Sequence, residues 1–158
     1  MNILLTGATG FTGKRFLEIL LLQNYNVRVL LRETSNIDKI DKRVKIFQGN
    51  LFDDSLLKAS VSDVDIVFHL AALRGETCRP WKAYEKSNIF LTEKLLEASC
   101  HVKKFIFCST VGVMGFGTGL SESSPLNPWG NYHKSKSEAE KICLNYKNTI
   151  IIRPSIVY

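Results

Sequence analysis

Short apolar runs alternate with segments of helical spacing along almost the whole chain. The apolar runs predict six strands, at "NILLT", "NVRVLLR", "VKIFQGN", "DIVFHLAA", "KFIFCST" and "TIIIRPSIVY". Between them, amphipathic spacing predicts helices at "KRFLEILLLQN", "DDSLLKAS", "WKAYEKSNIFLTEKLLEASC" and "NYHKSKSEAEKICLNY". The strand runs lack a polar face, so we expect both faces of the sheet to be covered.

This alternation predicts an α/β fold, a doubly wound parallel sheet with helices on both faces. We expect one domain over residues 1–158, since no linker, repeat or low-complexity tract interrupts the pattern. Ligands of such sheets bind outside the carboxyl ends of the strands, at the point where the strand order reverses.

Composition and charge exclude several classes of partner. Hydrophobic residues make up 45% and charged residues 23% of the chain, as in ordinary soluble proteins. The net charge of +6 is scattered, which indicates a basic surface rather than a site for nucleic acid or membrane. The four cysteines form no CxxC pair and no zinc spacing, so we expect reduced thiols, no metal and a cytoplasmic location. "MNILLTGATG" enters a strand at once, without the basic leader of a signal peptide.

The first strand ends in "TGATGFTG", with Gly7, Gly10 and Gly13 spaced by three. A glycine turn between a strand and a helix is typical of dinucleotide binding. Gly7 is expected to permit the tight turn, Gly10 to let backbone approach a pyrophosphate, and Gly13 to let the helix pack on the sheet. The alternative is a glycine-rich turn without a ligand.

"YHKSK" places Tyr132 and Lys136 one helical turn apart on the same face. A free tyrosine has a pKa of about 10 and is a poor base near neutrality. We expect a nearby lysine ammonium to lower that pKa, so that Tyr132 can exchange a proton with a substrate hydroxyl. The alternative is an exposed pair on a helix surface.

Five segments, in order, resemble the motifs of one family. "TGATGFTG" is similar to its glycine fingerprint, "DIVFHLAA" to its strand-four motif, "FCSTVGVMG" to its "SSxxVYG" segment, "PLNPWGNYHKSK" to the run into its YxxxK, and "IRPSIVY" to its sixth strand. The whole chain therefore resembles the extended short-chain dehydrogenase/reductase superfamily, and within it the NAD-dependent epimerase/dehydratase family. That resemblance implies a Rossmann-like domain and a nicotinamide cofactor.

The resemblance also implies roles for single residues. Thr110 matches the catalytic Ser/Thr, with Ser109 as the alternative, and Tyr132 matches the acid/base. Lys136 would also hold the nicotinamide ribose. Asn88 matches an Asn below the nicotinamide, or is a solvent-facing helix residue. His69 is expected to be a packed strand histidine without a catalytic role. The cofactor-binding residues implied are Gly7, Gly10, Phe11, Thr12, Gly13, Arg32, Asn50, Leu51, Leu70, Ala71, Ala72, Asn88, Tyr132, Lys136 and Pro154.

Some positions depart from the family pattern. Met114 replaces the tyrosine of "VYG", and Asn50 replaces the aspartate of "GDL". Dehydratases usually carry Asp-Glu after the catalytic Thr, where this chain has Val111 and Gly112, so dehydration is not expected.

The end of the second strand bears on the choice of cofactor. Arg32 follows Leu31, where nucleotide-sugar epimerases often have Asp, and an Arg fork suits a 2′-phosphate. Glu33 could bond ribose hydroxyls or repel a phosphate. The segment favours NADP over NAD.

The implied function is hydride transfer at a secondary alcohol or ketone, as in an epimerase of a nucleotide sugar. The alternatives are an NADPH-dependent ketone reductase resembling dihydroflavonol reductase, or a non-catalytic nucleotide-binding module. The family builds its substrate lobe after the sixth strand, so the chain resembles the cofactor-binding part only, and we favour a fragment of a longer enzyme. A homodimer through the helices at 81–100 and 131–147 is also expected.

Overall fold

A computed structural model of the chain describes residues 1–38, 40–74 and 79–155. The strands are β1 (Asn2–Thr6), β2 (Asn26–Arg32), β3 (Lys45–Gly49), β4 (Ile66–His69), β5 (Lys104–Cys108) and β6 (Thr149–Ile152). The helices are α1 (Phe11–Leu22), α2 (Asp54–Val61), α3 (Trp81–Tyr84), α4 (Leu91–Ala98) and α5 (Gly130–Cys143). A π-helical turn (Glu85–Phe90) lies between α3 and α4, and a 3₁₀ turn (Val111–Met114) follows β5.

The strands form one sheet in the order β3-β2-β1-β4-β5-β6, and every pair is parallel. The predicted doubly wound sheet is therefore confirmed. The strand order reverses between β1 and β4, where the chain crosses from one half of the sheet to the other. All carboxyl ends meet at one edge, so the ends of β1 and β4 flank the crevice where such sheets bind ligands.

Alternate residues of β1 supply two separate cores. Ile3 and Leu5 pack in a cluster with α1, in which Leu17 and Leu20 are buried. Leu4, on the other face, belongs to a second cluster built from α2, α4, α5 and the sheet. The period of two along a strand produces this division, and it explains why the strands read as continuous apolar runs.

The predicted long helix over residues 81–100 is interrupted. The π-helical turn separates α3 from α4 and carries Asn88, which is buried. The hydroxyl of Thr92 donates to the Asn88 carbonyl at 2.7 Å, four residues back. In a regular α-helix that carbonyl would accept only the backbone N–H of Thr92, and this added bond accompanies the widened turn. Amphipathic spacing alone does not reveal this departure.

The sixth strand, predicted over "TIIIRPSIVY", is shorter in the structure, where β6 ends at Ile152. The last three residues of the prediction, 156–158, lie outside the described residues. Arg153 follows the strand and forms a paired contact with Glu140 of α5, its Nη2 lying 2.7 Å from Oε2 and its Nε 3.1 Å from Oε1. Glu140 is buried, so this ion pair ties the end of β6 to α5. Among the described residues no helix is long and apolar enough to span a bilayer.

Candidate active site

The glycine turn after β1 is shaped by two close approaches. Gly7 has φ +76, and a Cβ there would lie 2.7 Å from the Ala71 nitrogen. A Cβ on Gly13 would lie 2.0 Å from the Gly7 oxygen, inside the turn. The fold itself therefore requires glycine at both positions.

Gly10 differs, because a Cβ there would meet only the Gly7 oxygen, at 3.3 Å. Gly10 is exposed and caps α1 without a side-chain hydrogen bond. The first N–H groups of a helix have no partner within the helix. Phe11 and Thr12, both exposed, begin that helix, so the turn can present backbone donors to an anion.

The ends of β2 and β3 lie side by side next to this turn. Arg32 pairs in register with Gly49, and Asn50 follows Gly49 directly. Arg32 is exposed, while the Asn50 side chain accepts a bond from the Phe52 N–H at 3.0 Å. Leu51 packs against the core. Arg32 and Asn50 therefore lie close together at the carboxyl ends of β2 and β3.

The end of β4 closes the other side of the glycine turn. Leu70, Ala71 and Ala72 are half-buried, and Leu70 packs against the core under α1. The Ala71 N–H donates to the Thr6 hydroxyl at 3.1 Å, which fixes this segment beside β1.

Lys136 is buried in α5 with its side chain directed at the sheet. Only 1% of the residue is exposed, and its Nζ lies 3.9 Å from the centroid of the Phe107 ring. Burial lowers the pKa of Lys136 to about 8, with Cys108, Cys143 and Glu140 opposing the fall. The surface-pair reading of "YHKSK" is therefore wrong for Lys136.

Tyr132 lies one turn before Lys136 and is half-buried. Burial raises its pKa, the charge of Cys108 adds to the rise, and Arg74 opposes it. The expected lowering of the phenol pKa by Lys136 is therefore wrong for this structure, because desolvation dominates. A raised pKa keeps the phenol protonated near neutral pH, although it also makes the phenol a weaker acid.

The hydroxyls at the end of β5 occupy different surroundings. Thr110 is half-buried, and its Oγ1 accepts the Gly112 N–H at 3.3 Å at the start of the 3₁₀ turn. Its own proton remains available to donate. Ser109 is buried, and its hydroxyl has no partner within the described structure. Met114 is buried, and Pro154 lies beside the strand end, its carbonyl accepting the Val111 N–H at 3.1 Å.

Asn88 is buried at 1% exposure, so the solvent-facing alternative is wrong. Its Oδ1 accepts the Leu73 N–H at 2.7 Å, and its Nδ2 donates to the Leu73 carbonyl at 3.0 Å. The same Nδ2 donates to the Ser135 hydroxyl at 2.9 Å. Both amide protons therefore bind acceptors within the chain. The Asn88 side chain thus connects Leu73, in the segment after β4, to Ser135 on α5.

Three residues near Tyr132 escaped the sequence reading. The Ser135 hydroxyl accepts from the Asn88 side chain and donates to the Tyr132 carbonyl at 2.7 Å. It therefore connects Asn88 to the backbone of the residue that carries the phenol. Its position three residues after Tyr132, inside "YHKSK", was an available signal. Cys108 and Arg74 act on the Tyr132 pKa. They had no signal, because their proximity depends on how β4, β5 and α5 pack.

Metal ligands do not gather in the described ranges, where no three His, Cys, Asp or Glu side chains could hold an ion. Of the four cysteines, Cys100, Cys108 and Cys143 are described, and each is a free thiol. Burial raises the pKa of Cys143 to about 12 and also raises that of Cys108.

Residues 3–158 match the family model of the NAD dependent epimerase/dehydratase family. The chain therefore belongs to this family, and the resemblance drawn from its five motifs is confirmed.

Individual relatives support the same assignment. The chain is 30% identical over 167 residues to the N-acetyl-alpha-D-glucosaminyl-diphospho-ditrans,octacis-undecaprenol 4-epimerase of Escherichia coli O157:H7, covering 99% of this chain and 49% of the relative. It is 26% identical over 170 residues to the 4-hydroxy-2-methyl-3-oxo-4-farnesyl-3,4-dihydroquinoline-1-oxide ketoreductase of Stigmatella aurantiaca, covering 100% of this chain and 51% of the relative.

Among solved structures, the UDP-glucuronic acid 4-epimerase of Bacillus cereus in complex with NAD superposes with a TM-score of 0.88 at 30% identity. The match covers 100% of this chain and 57% of that one. The chain thus spans about half the length of the relatives it matches.

Proposed function

We propose that the chain is the cofactor-binding part of a nicotinamide-dependent epimerase that acts on a sugar linked to a nucleoside diphosphate. The observation that carries the proposal is the placement of Tyr132 and Lys136 on α5 at the same sheet edge as Thr110 and the glycine turn. The similar Bacillus cereus protein is named as a UDP-glucuronic acid 4-epimerase and was crystallised with NAD.

The residues present fit a dinucleotide in three places. Gly10 is exposed and carries no side chain at the first turn of α1, where backbone N–H groups favour a pyrophosphate. Arg32 and Asn50 stand at the adjacent strand ends, where the adenosine half would lie. Lys136 and Tyr132 on α5 would then meet the nicotinamide half. When bound, the nicotinamide accepts a hydride from the substrate carbon and returns it.

The side chains of this protein handle the proton that accompanies the hydride. Tyr132 would take the proton of a secondary hydroxyl as the C–H bond breaks, and give it back when the hydride returns. The Thr110 hydroxyl donates to the same substrate oxygen and holds it in place. If the proton and hydride were returned to the opposite face of that sugar carbon, its configuration would be inverted, which is epimerisation.

Lys136 is better suited to hold the cofactor than to change the acidity of the phenol. Burial, with Cys108 adding to it, keeps the pKa of Tyr132 above its usual value, and Lys136 is not among the groups that lower it. The Lys136 pKa of about 8 means that its ammonium is the main form at neutral pH. In this proposal the Lys136 ammonium holds the nicotinamide ribose.

Fusion of residues 1–155 to the second half of the Bacillus cereus epimerase provides an assay for this chemistry. Tyr132→Phe removes only the hydroxyl and is expected to cut turnover of UDP-glucuronic acid by about 10²–10⁴-fold, with NAD affinity nearly unchanged. Tyr146→Phe, a tyrosine beyond the end of the same helix, is the matched control. Full activity in Tyr132→Phe would remove the phenol from the mechanism.

We also propose that Arg32 favours NADP over NAD through the 2′-phosphate. Arg32→Ala is expected to weaken NADP by about 1–3 kcal/mol more than NAD in a calorimetric titration. Lys104→Ala removes one positive charge at the amino end of β5, away from the carboxyl ends of the strands, and should leave both affinities unchanged. Equal losses for the two cofactors in Arg32→Ala would exclude a 2′-phosphate contact.

A ketone reductase is the second candidate, and the similarity to the Stigmatella aurantiaca ketoreductase favours it. Tyr132 would then deliver a proton to the ketone oxygen, which requires the protonated phenol that a raised pKa maintains at neutral pH. Stoichiometric oxidation of NADPH during ketone turnover would support this reading. A requirement for catalytic rather than stoichiometric cofactor would support epimerisation.

A homodimer through α3–α4 and α5 stays a proposal. Phe90 and Leu144 are large apolar side chains that these helices leave exposed, as a helical interface would need. Analytical sedimentation of the wild type, Phe90→Lys and Leu144→Lys tests this interface. A dimeric wild type and monomeric variants would support it, and a wild type that is itself monomeric would exclude it.

A further inference from the structure

His69 ends β4 and is fully buried, as expected for a packed strand histidine. Both of its ring nitrogens have partners, however. Nδ1 lies 2.7 Å from the Thr6 hydroxyl on β1, and Nε2 lies 3.0 Å from the Thr92 hydroxyl on α4. Buried polar groups need hydrogen-bond partners, and these two also connect β4 to β1 on one side and to α4 on the other.

The bonds around His69 fix the position of every proton. Thr92 donates to the Asn88 carbonyl, which can only accept, so the Thr92 oxygen must accept from His69. The proton of the neutral ring is therefore on Nε2, and Nδ1 must accept from the Thr6 hydroxyl. Thr6 in turn accepts the Ala71 N–H. All four bonds of this buried hydrogen-bond chain, from Ala71 through Thr6, His69 and Thr92 to Asn88, run in one direction.

The two ends of the buried hydrogen-bond chain lie at the two halves of the candidate site. Ala71 packs against Gly7 of the glycine turn. At the other end, the Asn88 side chain binds Ser135, which donates to the Tyr132 carbonyl at 2.7 Å. A packing contact at Gly7, the hydrogen bonds and the Asn88 residue itself therefore connect the glycine turn to the start of the helix that carries the phenol.

Charge at His69 would break this arrangement, since a protonated ring has a proton on each nitrogen and could no longer accept from Thr6. Burial, and after it the nearby Lys136 ammonium, lower the pKa of His69 to about 3. The ring is therefore neutral near pH 7, where the direction of the bonds is fixed.

We propose that His69 is a positioning residue that holds the glycine turn and the helix carrying Tyr132 and Lys136 at a fixed separation. This role rests on the proposed function, because it matters when one dinucleotide must reach both places at once. ADP contains only the adenosine and diphosphate end, so it needs the turn but not the helix. NADH needs both, and should be sensitive to a loosened connection.

Thr92→Val tests the proposal, because valine keeps the shape of threonine but can neither accept from His69 nor donate to Asn88. Thr92→Ser keeps the hydroxyl and is the matched control. We expect Thr92→Val to weaken NADH about fivefold, the equivalent of one buried hydrogen bond, while ADP changes less than about twofold. Thr92→Ser should bind both as the wild type does. Equal weakening of ADP and NADH by Thr92→Val, or no rescue by serine, would overturn the proposal.

The ring nitrogens of His69, observed by ¹⁵N NMR in the free chain, supply a readout that does not depend on cofactor. We expect a neutral ring with its proton on Nε2, and no titration between about pH 5 and 8, since the unperturbed pKa of about 6.5 lies inside that window. A proton on Nδ1, or titration of the ring in that window, would contradict the proposed direction of the hydrogen bonds. If the wild type binds neither NADH nor ADP, the proposed function fails, while the spectrum still decides whether the hydrogen-bond chain exists.

Discussion

The Lys136 side chain is buried over the face of Phe107, and within residues 1–38, 40–74 and 79–155 no carboxylate forms an ion pair with it. Its pKa of about 8 in the folded chain lies below the ordinary value of 10.5. The unfolded state therefore binds this proton more tightly, and burial of the charge costs stability below pH 8. That cost fades as pH rises from 8 to 10.5.

Lys136→Met should therefore stabilise the protein at pH 7. Removal of the buried charge raises the free energy of unfolding by about 3 kcal/mol, as the pKa difference indicates. Loss of the contact with the Phe107 ring lowers it by about 1 kcal/mol or more. We expect a net gain of about 1–2 kcal/mol at pH 7 that shrinks towards pH 10.5. Urea unfolding at both pH values measures it, with the exposed Lys134→Met as control. A gain independent of pH would contradict the assigned pKa.

Gly10 and Gly13 should respond in opposite ways to an added methyl group. Gly13→Ala places a Cβ against the Gly7 oxygen, so we expect a loss of about 1–3 kcal/mol or more in unfolding free energy. Gly10→Ala brings a Cβ only to 3.3 Å from the Gly7 oxygen, a tight contact but a milder one, so it should cost about 1 kcal/mol and less than Gly13→Ala. It should nevertheless weaken NAD at least about tenfold, since backbone can no longer approach the pyrophosphate.

Thermal unfolding and calorimetric titration of the two glycine variants separate the roles. Tight NAD binding by Gly10→Ala would show that the pyrophosphate lies elsewhere. An unchanged melting temperature in Gly13→Ala would contradict the close packing of α1 on the turn.

At the scale of elements, β6 is an outer strand whose exposed side chains are apolar. Ile150 and Ile152 are 44% and 43% exposed, on a strand whose outer edge is unpaired in the described structure. Exposed apolar edge strands promote self-association. The double variant Ile150→Lys and Ile152→Lys should change the unfolding free energy by less than about 1 kcal/mol and reduce association in concentration-dependent light scattering.

Ile151→Lys is the matched control for that strand, because Ile151 packs against the core on the opposite face. It should destabilise the chain by about 2–5 kcal/mol. Scattering that is the same in the double variant and the wild type would place the associating surface elsewhere.

The elements that the sequence predicted well are those in which one periodicity persists. β1, β5 and α1 follow directly from apolar runs and helical spacing, and the parallel, doubly wound sheet follows from the alternation of strands and helices. The interruption at Glu85–Phe90 could not be predicted, because it coincides with a bond between Thr92 and a carbonyl that sequence does not display. Asn88 was left between two readings for the same reason. Its burial depends on Leu73 and Ser135, which are distant in sequence.

The electrostatics of the site were also beyond the sequence. The pair Tyr132 and Lys136 was recognisable from its spacing, yet the sign of the Tyr132 pKa shift depends on how deeply α5 packs on β5. Spacing reports which side chains share a face. It does not report how much water they lose.

For the whole molecule, cofactor binding should appear as thermal stabilisation. A ligand at 100 times its dissociation constant adds about 2.7 kcal/mol, which for a chain of this size raises the melting temperature by roughly 5–10 °C. We expect this shift with NAD or NADP, and almost no turnover of UDP-glucuronic acid by the 158-residue chain alone. Absence of any shift would contradict cofactor binding, and rapid turnover would show that the chain holds its own substrate site.

The strand order β3-β2-β1-β4-β5-β6 has a consequence for how the chain assembles as it leaves the ribosome. β1 emerges first and lies in the middle; β2 and then β3 add on one side, and β4, β5 and β6 add in turn on the other. Every new strand therefore meets a free edge, and none has to enter between two strands that are already paired. Synthesis from the amino terminus can build the sheet outward, one edge at a time.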